Sequence, residues 1–338
     1  MTTAFKPVKL GILGVARINH RLKPAFDQCE QIQLQAIASR SMERAKAASK
    51  ELGIAKPYGS YEDLLADPEI EAVYIPLPNA LHGDWVKRAA DHGKHILCEK
   101  PLCPTAAEAL EVVEYCRTKN VKLMDGFMWP HHPRTKKMRA MIDQGSIGQV
   151  LRTVTSFTFM MEELKTSEIR LQPEMAGGGL GDVGCYCIYG IRWAMQAEPV
   201  SVWARANWFN DVDVDMCGVL TFADGRTAQF DCGFARPLRM NMEIVGSTGV
   251  ISLPDMWIPT DDAADFNIIR NPGGFEFTSE NHPNPGADQM VNMLTEFATA
   301  IRENREPTPS PMEAVKSLRV MDALLHSARE KREIEITA

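Results

Sequence analysis

Two short stretches of this 338-residue chain carry side chains suited to proton transfer. In the first, an apolar run at residues 95–98 ends on Glu99, Lys100 and Pro101. Because Pro101 has no N–H to donate and cannot continue a central strand, we expect the strand to end here. Glu99 and Lys100 then stand at the carboxyl edge of a sheet, where open parallel sheets bind ligands. A solvated charged turn is the simpler explanation for such a pair in isolation. The surrounding elements therefore decide between a solvated turn and a ligand-binding site.

The second stretch is the glycine-rich segment 176–186, which contains Asp182 and Tyr186. Its glycines free the backbone, and aspartate is a common N-cap residue, so we expect Asp182 to begin a helix. A spacing of four places Asp182 and Tyr186 on one face of that helix. A capping aspartate and a core tyrosine explain the pair in isolation, but the bare backbone before them favours a binding edge.

The first apolar run, residues 8–14, predicts a buried strand that leads through glycine into a turn and a helix. Such a turn offers backbone N–H groups and the positive end of a helix to a pyrophosphate. The match to the fingerprint G-x-G-x-x-G/A is imperfect, because Ala16 and Asn19 replace the second glycine and the last small residue. We expect the cofactor to contact the following residues of this turn: Gly11, Gly14, Ala16, Arg17 and Ile18.

The second predicted strand, residues 32–38, ends at Ser39 and Arg40. An NAD site usually has an acidic residue here to bind the adenine ribose, and this chain has none. The planar guanidinium of Arg40 suits a 2′-phosphate instead. We therefore predict NADP as the cofactor, with NAD possible, and Ser39 and Arg40 as ligands. The alternative is that Arg40 is a solvated residue at the start of a helix.

Strands and helices alternate up to about residue 126, which predicts a right-handed, doubly wound parallel sheet, the Rossmann architecture of an α/β fold. The predicted strand 72–75 is followed on the same edge as Lys100 by four residues that we expect at the cofactor: Leu77, Pro78, Asn79 and His82. Glu99 and Lys100 complete this predicted set. His82 is explained equally well as a helix-start residue that touches nothing.

After residue 126 the pattern changes to long runs of strand character, which predict an α+β domain with a large open, mainly antiparallel sheet. We place a dinucleotide-binding domain at residues 1–126 and a substrate-binding and oligomerisation domain at residues 127–338. The last helices, at 288–304 and 311–332, are expected to pack back on the first domain. Because an open sheet needs a cover, we expect a homodimer or homotetramer through it.

The composition excludes several classes of function. A net charge of −7 without basic runs argues against nucleic acid and anionic membranes as partners. Residues 1–7 have no signal-type apolar segment, and no later run is long enough to span a bilayer, so we expect a soluble, cytoplasmic protein. Eight cysteines do not form a disulfide framework at this length, and no metal site is expected. We expect four of them to be small buried residues: Cys98, Cys116, Cys217 and Cys232.

Taken together, these motifs resemble the glucose–fructose oxidoreductase/inositol dehydrogenase (Gfo/Idh/MocA) family over essentially the whole chain. The stretches 126–129 and 243–249 add to the resemblance, whereas Asp125 stands where related sequences often have glutamate. The resemblance implies nicotinamide-dependent redox chemistry on sugars, polyols or related alcohols. In this comparison Lys100 matches the catalytic lysine and Asp182 the active-site aspartate. Tyr186 replaces a common histidine, as in the NADP-preferring aldose and dimeric dihydrodiol dehydrogenase branches.

The expected reaction is hydride transfer between the nicotinamide C4 and a carbinol carbon, which requires a group that moves the hydroxyl proton. Tyrosine titrates near ~10, and a neighbouring ammonium lowers that value, so either Lys100 or Tyr186 is the proton carrier. We expect the substrate to contact Lys100, Asp182 and Tyr186 together with Trp129 and Arg170. His131 or His132 are weaker candidates.

Two other functions compete with a sugar dehydrogenase. An idle NADP-binding regulatory protein is disfavoured by the presence of Lys100, and a nicotinamide-assisted glycoside hydrolase by the lack of a secretory signal. An aldose such as xylose or glucose is the expected substrate, while a nucleotide-linked sugar or an aromatic dihydrodiol stays open. The loops 166–175 and 255–271, which shape the pocket, have no pattern from which their conformation follows.

Overall fold

The computed structural model describes residues 6–260, 262–273 and 275–336. The predicted domain ends at residues 1 and 338, and position 261 in the loop 255–271, lie outside these residues. The chain divides into two compact units. The first comprises residues 6–128 with Asp288–Ala314, and the second comprises residues 129–287 with 315–336.

The first unit contains a six-stranded parallel sheet in the order β3-β2-β1-β4-β5-β6, which confirms the predicted Rossmann architecture. Its strands are β1 (Val8–Leu13), β2 (Ile32–Ala38), β3 (Lys56–Tyr58), β4 (Ala72–Ile75), β5 (His95–Cys98) and β6 (Leu123–Asp125). Its helices up to residue 128 are α1 (Ile18–Gln28), α2 (Met42–Leu52), α3 (Tyr61–Ala66), α4 (His82–Asp91) and α5 (Ala106–Thr118). All four residues of β4 are buried, as expected for a central strand covered on both faces.

Three helices of this unit begin at hydroxyl N-caps. Ser41, Ser60 and Thr105 each accept a hydrogen bond from the backbone N–H three residues further on, at the start of α2, α3 and α5. Such caps satisfy backbone donors that a helix leaves without partners in its first turn. They fix where each helix begins after the strand that precedes it.

The second unit is built on a ten-stranded, mainly antiparallel sheet, as predicted. Its strands up to residue 282 are β7 (Val150–Met160), β8 (Pro199–Phe209), β9 (Val212–Phe222), β10 (Thr227–Gly233), β11 (Ala235–Arg239), β12 (Met242–Gly246), β13 (Val250–Leu253), β14 (Phe266–Gly273) and β15 (Glu276–His282). Its helices in this range are α6 (Pro133–Asp143) and α7 (Cys185–Met195). β7 and β10 run parallel, and the other strand pairs of the described residues in this sheet run antiparallel.

The chain ends with α8 (Gln289–Arg302), α9 (Met312–Glu330) and the short strand β16 (Ile334–Glu335), which pairs with β8. α8 belongs to the first unit, where it packs on α1 and β2. In the part of the chain that the structure describes, no helix combines the length and the hydrophobicity that a bilayer span requires.

One buried cysteine was predicted wrongly. Cys217 is exposed, whereas Cys98, Cys116 and Cys232 are buried as expected. The apolar neighbours of Cys217 in sequence belong to β9, where alternate side chains point to opposite faces of the sheet. Cys217 therefore points to the face opposite that of its neighbours Met216 and Gly218, both of which are buried.

Candidate active site

The turn between β1 and α1 has the features of an anion site. Gly14 has φ +133°, a conformation that favours glycine, and a Cβ there would also meet Leu77 Cδ2 at 2.9 Å. Arg17 precedes α1 without a side-chain capping bond, and the first turn of α1 has no acidic residue. The positive end of α1 is therefore compatible with the pyrophosphate of a dinucleotide. Ala16 and Ile18 are half-buried in the same turn.

The structure explains two residues of this turn, Asn19 and Gly11. Asn19 is buried, and its Nδ2 donates to the Gly14 carbonyl oxygen at 2.8 Å, so this side chain holds the turn closed. Gly11 is packed against α3, since a Cβ there would meet Leu64 Cδ2 at 2.8 Å. Packing between strand and helix therefore accounts for this glycine. The cofactor contact of Gly11 stays a prediction.

The end of β2 carries basic rather than acidic side chains. Ser39 is buried, and its N–H donates to the Tyr58 carbonyl oxygen at 3.1 Å, whereas Arg40 is exposed. Arg44, which sequence reasoning missed, is also exposed and lies in the first turn of α2. Burial raises the pKa of Tyr61, and the nearby charges of Arg40 and Arg44 oppose that rise. The signal for Arg44 was its place in the first turn of the helix that follows Arg40.

The loop after β5 presents Lys100 beside a held carboxylate. β5 ends at Cys98, as Pro101 predicted, and Lys100 is half-buried. The Tyr74 hydroxyl donates to Glu99 Oε1 at 2.6 Å, and the Lys100 backbone N–H donates to Glu99 Oε2 at 3.3 Å. Burial raises the pKa of Glu99, while the Lys100 charge opposes the rise. Glu99, predicted at the cofactor, thus orients the start of the Lys100 loop.

Asp125, which the sequence marked only as a departure from the family, is a second perturbed carboxyl in this region. It ends β6 and is paired in register with Cys98 of β5. Burial and the negative charge of Glu99 raise the pKa of Asp125 to about 7. Its Oδ1 is buried without a hydrogen-bond partner among the described residues. A carboxyl that holds a proton near neutral pH therefore lies close to the loop that carries Lys100.

His82 does not fit the predicted cofactor contact. Its ring is fully buried, with Nδ1 at 2.9 Å from the Pro101 carbonyl oxygen and Nε2 at 2.8 Å from the Leu77 carbonyl oxygen. Burial lowers the pKa of His82. The ring connects the loop after β4 to the loop after β5, so its role is structural. Leu77, Pro78 and Asn79 remain half-buried in the first of these loops.

In the second unit, Asp182 lies inside a π-helical turn, Leu180–Gly184, that leads into α7. The predicted N-cap role is wrong, because the turn begins two residues earlier and its N-cap residue is Gly179. Asp182 Oδ2 accepts a hydrogen bond from Arg170 Nε at 2.8 Å. Arg170 also donates to Glu168 Oε1 at 3.2 Å. Arg170, which was predicted to contact substrate, therefore forms ion pairs with Asp182 and Glu168.

Tyr186 lies in the first turn of α7 against aromatic rings. Its side chain is 6% exposed and meets Phe157 edge-on with ring centroids 5.1 Å apart. The Trp257 ring lies 5.9 Å away on another side. These contacts fix the ring plane of Tyr186 and therefore the direction of its hydroxyl.

The predicted substrate contacts of Trp129 and the histidines are not supported. Trp129 is fully buried in a cluster of aromatic rings, 5.1 Å from Tyr189 and 5.6 Å from Trp193 between centroids. His132 Nδ1 accepts from the Arg134 backbone N–H at 3.0 Å and so caps α6. Burial lowers the pKa of His132 to about 4. His131 is also buried.

Sequence reasoning also missed Asp213. This residue of β9 is 3% exposed, and its Oδ2 accepts from the Leu180 backbone N–H at 2.6 Å. It therefore contacts the turn that carries Asp182. Because the two residues are 31 positions apart, only the sheet topology brings them together.

Comparisons with known proteins assign the chain to a family. The family model described as "Oxidoreductase family, NAD-binding Rossmann fold" matches residues 8–127, and that of the GFO/IDH/MocA C-terminal domain matches residues 135–252. The chain belongs to the GFO/IDH/MocA family. It is 35% identical to a D-xylose 1-dehydrogenase (NADP(+)) of Haloferax volcanii, over 96% of this chain and 99% of that protein.

Two further known proteins are similar to this chain. A trans-1,2-dihydrobenzene-1,2-diol dehydrogenase of Xenopus tropicalis is 33% identical over 75% of this chain and 77% of its own length. The structure of KijD10, a 3-ketoreductase from Actinomadura kijaniata solved with NADP and TDP-benzene, superposes with a TM-score of 0.87. It shares 30% identity and covers 95% of this chain and 98% of its own. The chain is an NADP-dependent oxidoreductase acting on CH–OH groups of sugar type, as predicted.

Proposed function

We propose that this enzyme is an aldose dehydrogenase that binds NADP through its first unit and the sugar through its second. The observation that carries the cofactor half is the end of β2, where Ser39 and Arg40 replace the usual acidic residue and Arg44 adds a second cation. Two guanidinium groups suit a 2′-phosphate, which an NAD molecule lacks. The resemblance in length and sequence to a xylose dehydrogenase supports the aldose half.

The proposed roles follow from the chemistry of each side chain. When bound, NADP supplies the hydride acceptor or donor at its nicotinamide ring. The α1 terminus holds the pyrophosphate, and Arg40 with Arg44 holds the 2′-phosphate. Either Lys100 or Tyr186 carries the proton of the substrate hydroxyl. Asp182, held by Arg170, orients a neighbouring hydroxyl or amine.

We also propose that the enzyme is a homodimer that covers the open face of the ten-stranded sheet. Trp203 is 40% exposed and pairs in register with Val219. Val219 pairs with the exposed Gln229 of β10, which in turn pairs with Val154 of β7. Val219 and Val154 are half-buried on the same face. Apolar side chains that remain exposed in the middle of a sheet, here beside the amide of Gln229, are typical of an interface between identical subunits. The expected cytoplasmic location stays a prediction.

The cofactor assignment is tested by fluorescence titration of NADPH and NADH. We expect wild type to prefer NADPH, and Arg40→Ala and Arg44→Ala each to weaken NADPH binding by about tenfold or more, with the double variant losing the preference. Lys50→Ala, an exposed cation further along α2, is the matched control. A wild type that binds NADH as tightly as NADPH would refute the assignment. Steady-state assays over D-xylose, D-glucose and other aldoses then test the substrate class.

A further inference from the structure

The absence of side chains at Gly178 and Gly179, just before the π-helical turn that contains Asp182, leaves room for the buried carboxylate of Asp213. Gly178 has φ +126°, and a Cβ at this position would collide with Asp213 Oδ1. A Cβ on Gly179 would lie 3.3 Å from Asp213 Oδ2 and 3.0 Å from Gly233 Cα. The glycines are therefore required by the close approach of Asp213, in addition to the freedom they give the backbone.

The Asp213 carboxylate binds the first amides of the π-helical turn. Its Oδ2 lies 2.6 Å from the Leu180 N, and the Gly179 backbone N–H is a second donor to the same carboxyl. An anion at this place satisfies amides that a helical turn leaves without partners and interacts favourably with its dipole. With 3% exposure, the carboxylate makes these bonds away from solvent.

A continuous set of hydrogen bonds leads from these amides to Asp182. The Asp182 N–H donates to the Gly178 carbonyl oxygen at 3.0 Å. The Gly178 N–H donates to the Arg170 carbonyl oxygen at 2.9 Å, and the Arg170 side chain binds Asp182 Oδ2 at 2.8 Å. The backbone that Asp213 holds is thus the backbone on which both members of the Arg170–Asp182 pair depend.

We infer that Asp213 is a positioning residue of this enzyme, which acts by holding residues 178–180 so that Asp182 and Tyr186 keep their places. The inference rests on the proposed function for the roles of Asp182 and Tyr186. Asp213 acts through the turn, and its own carboxylate is occupied by backbone amides. The same residue explains why this chain needs glycine at positions 178 and 179.

The ionised form of Asp213 is the one that serves two amide donors. Burial raises the pKa of Asp213 to about 6, against the effect of the Leu180 and Gly179 amides. The charged group acting on it from α9 is Arg329, and the titratable group on β10 is Cys232, whose thiol pKa burial raises well above its usual value. Protonation in acid removes the charge and occupies one oxygen, so the turn is held less firmly below about pH 6.

The test compares Asp213→Asn with Asp215→Asn, a buried carboxyl two residues along β9 that binds Arg236. Hydrogen–deuterium exchange of peptides covering residues 177–186 is the readout that does not depend on activity. We expect faster exchange there in D213N and wild-type exchange in D215N.

In sugar oxidation we expect kcat of D213N to fall at least tenfold, with NADPH affinity within about twofold of wild type. The decline of kcat below about pH 6 should disappear in D213N.

Each outcome decides a separate point. Unchanged exchange in D213N overturns the inference, whether or not a sugar is oxidised. Faster exchange with an unchanged kcat and pH profile overturns the positioning role. If no aldose is oxidised by wild type, the proposed substrate class fails, while the exchange experiment still decides whether Asp213 holds the turn. Should D213N not fold, Gly178→Ala places a methyl against the intact carboxylate, and a wild-type kcat in that variant would contradict the inference.

Discussion

At the scale of single residues, the neighbourhood of Lys100 depends on two carboxyl groups of different character. Glu99 is held by the Tyr74 hydroxyl and the Lys100 amide, whereas Asp125 Oδ1 has no hydrogen-bond partner among the described residues. Burial, and after it the negative charge of Glu99, raises the pKa of Asp125. The proton on Asp125 keeps the pair from carrying two negative charges beside the lysine loop near neutral pH.

This arrangement predicts a pH-dependent stability. The folded protein holds the Asp125 proton up to about pH 7, whereas an unfolded carboxyl releases it near the ordinary pKa of 3.8. Between those values the folded state binds more protons, so the free energy of unfolding falls as pH rises, by about 1.4 kcal/mol per pH unit at most. Urea unfolding between pH 4 and pH 8 should show this decline in wild type and a weaker one in Asp125→Asn. Asp27→Asn, an exposed change, is the control, and an identical slope in D125N would contradict the prediction.

The types of the functional residues were predictable from sequence, but their partners were not. Lys100 and Asp182 were identified because strand ends and glycine runs mark binding edges locally. The partners of Asp182 come from elsewhere in the chain, Arg170 twelve residues before it and Asp213 in another strand. Local patterns hold no information on such pairs. Trp129 was predicted to contact substrate but lies in the core. An aromatic residue after a strand has the same local sequence pattern in a pocket and in a core.

At the scale of elements, the two loops that leave β4 and β5 are joined by His82. A neutral imidazole has a single N–H donor, yet both ring nitrogens of His82 lie within 2.9 Å of a backbone carbonyl oxygen. The contact closes the gap between the Leu77 loop and the Pro101 loop at the carboxyl edge of the sheet. The conformation of the two loops at the predicted cofactor edge therefore depends on the fully buried side chain of His82.

We expect His82→Ala to lower the free energy of unfolding by roughly 2–4 kcal/mol, because it removes a packed ring and leaves buried carbonyl oxygens without partners. NADPH affinity should fall as well, since both loops lose their connection. The matched control is His95→Ala, at the amino end of β5, where Nδ1 accepts from the Lys122 N–H at 2.9 Å. Urea unfolding and NADPH titration measure the two effects. An NADPH affinity in H82A equal to that of H95A would show that the connection does not support the cofactor edge.

The element predictions succeeded where periodicity is strong and failed where it is weak. The buried strands of the parallel sheet and the alternating strands β8 to β10 follow directly from their side-chain patterns. β3 is only three residues long, and all the residues of β15 with a described burial class are exposed or half-buried, so neither has an apolar face that a pattern could reveal. The π-helical turn before α7 was missed because Asp182 has the residue type of a cap, and its true environment depends on Arg170 and Asp213.

At the scale of the whole molecule, the proposed homodimer depends on one face of the ten-stranded sheet. The row through Trp203, Val219 and Val154 would expose apolar side chains in a monomer. We predict that Val219→Lys dissociates the proposed homodimer, because a charge in the centre of an apolar interface lacks a partner. Light scattering across a concentration series measures the change. Leu238→Lys, at an exposed apolar residue of β11, is the control, and a monomeric wild type would refute the dimer.

Cys217 offers a natural reporter of that face. All eight cysteines are unpaired thiols and seven of them are buried, so a maleimide dye added to the folded enzyme should label one site per chain. Cys217 is paired in register with Arg205 and Asp231, two residues along the strands from the row through Trp203 and Val219. The labelling rate should therefore fall with rising protein concentration if subunits associate through this face. No cysteine has to be introduced for this measurement.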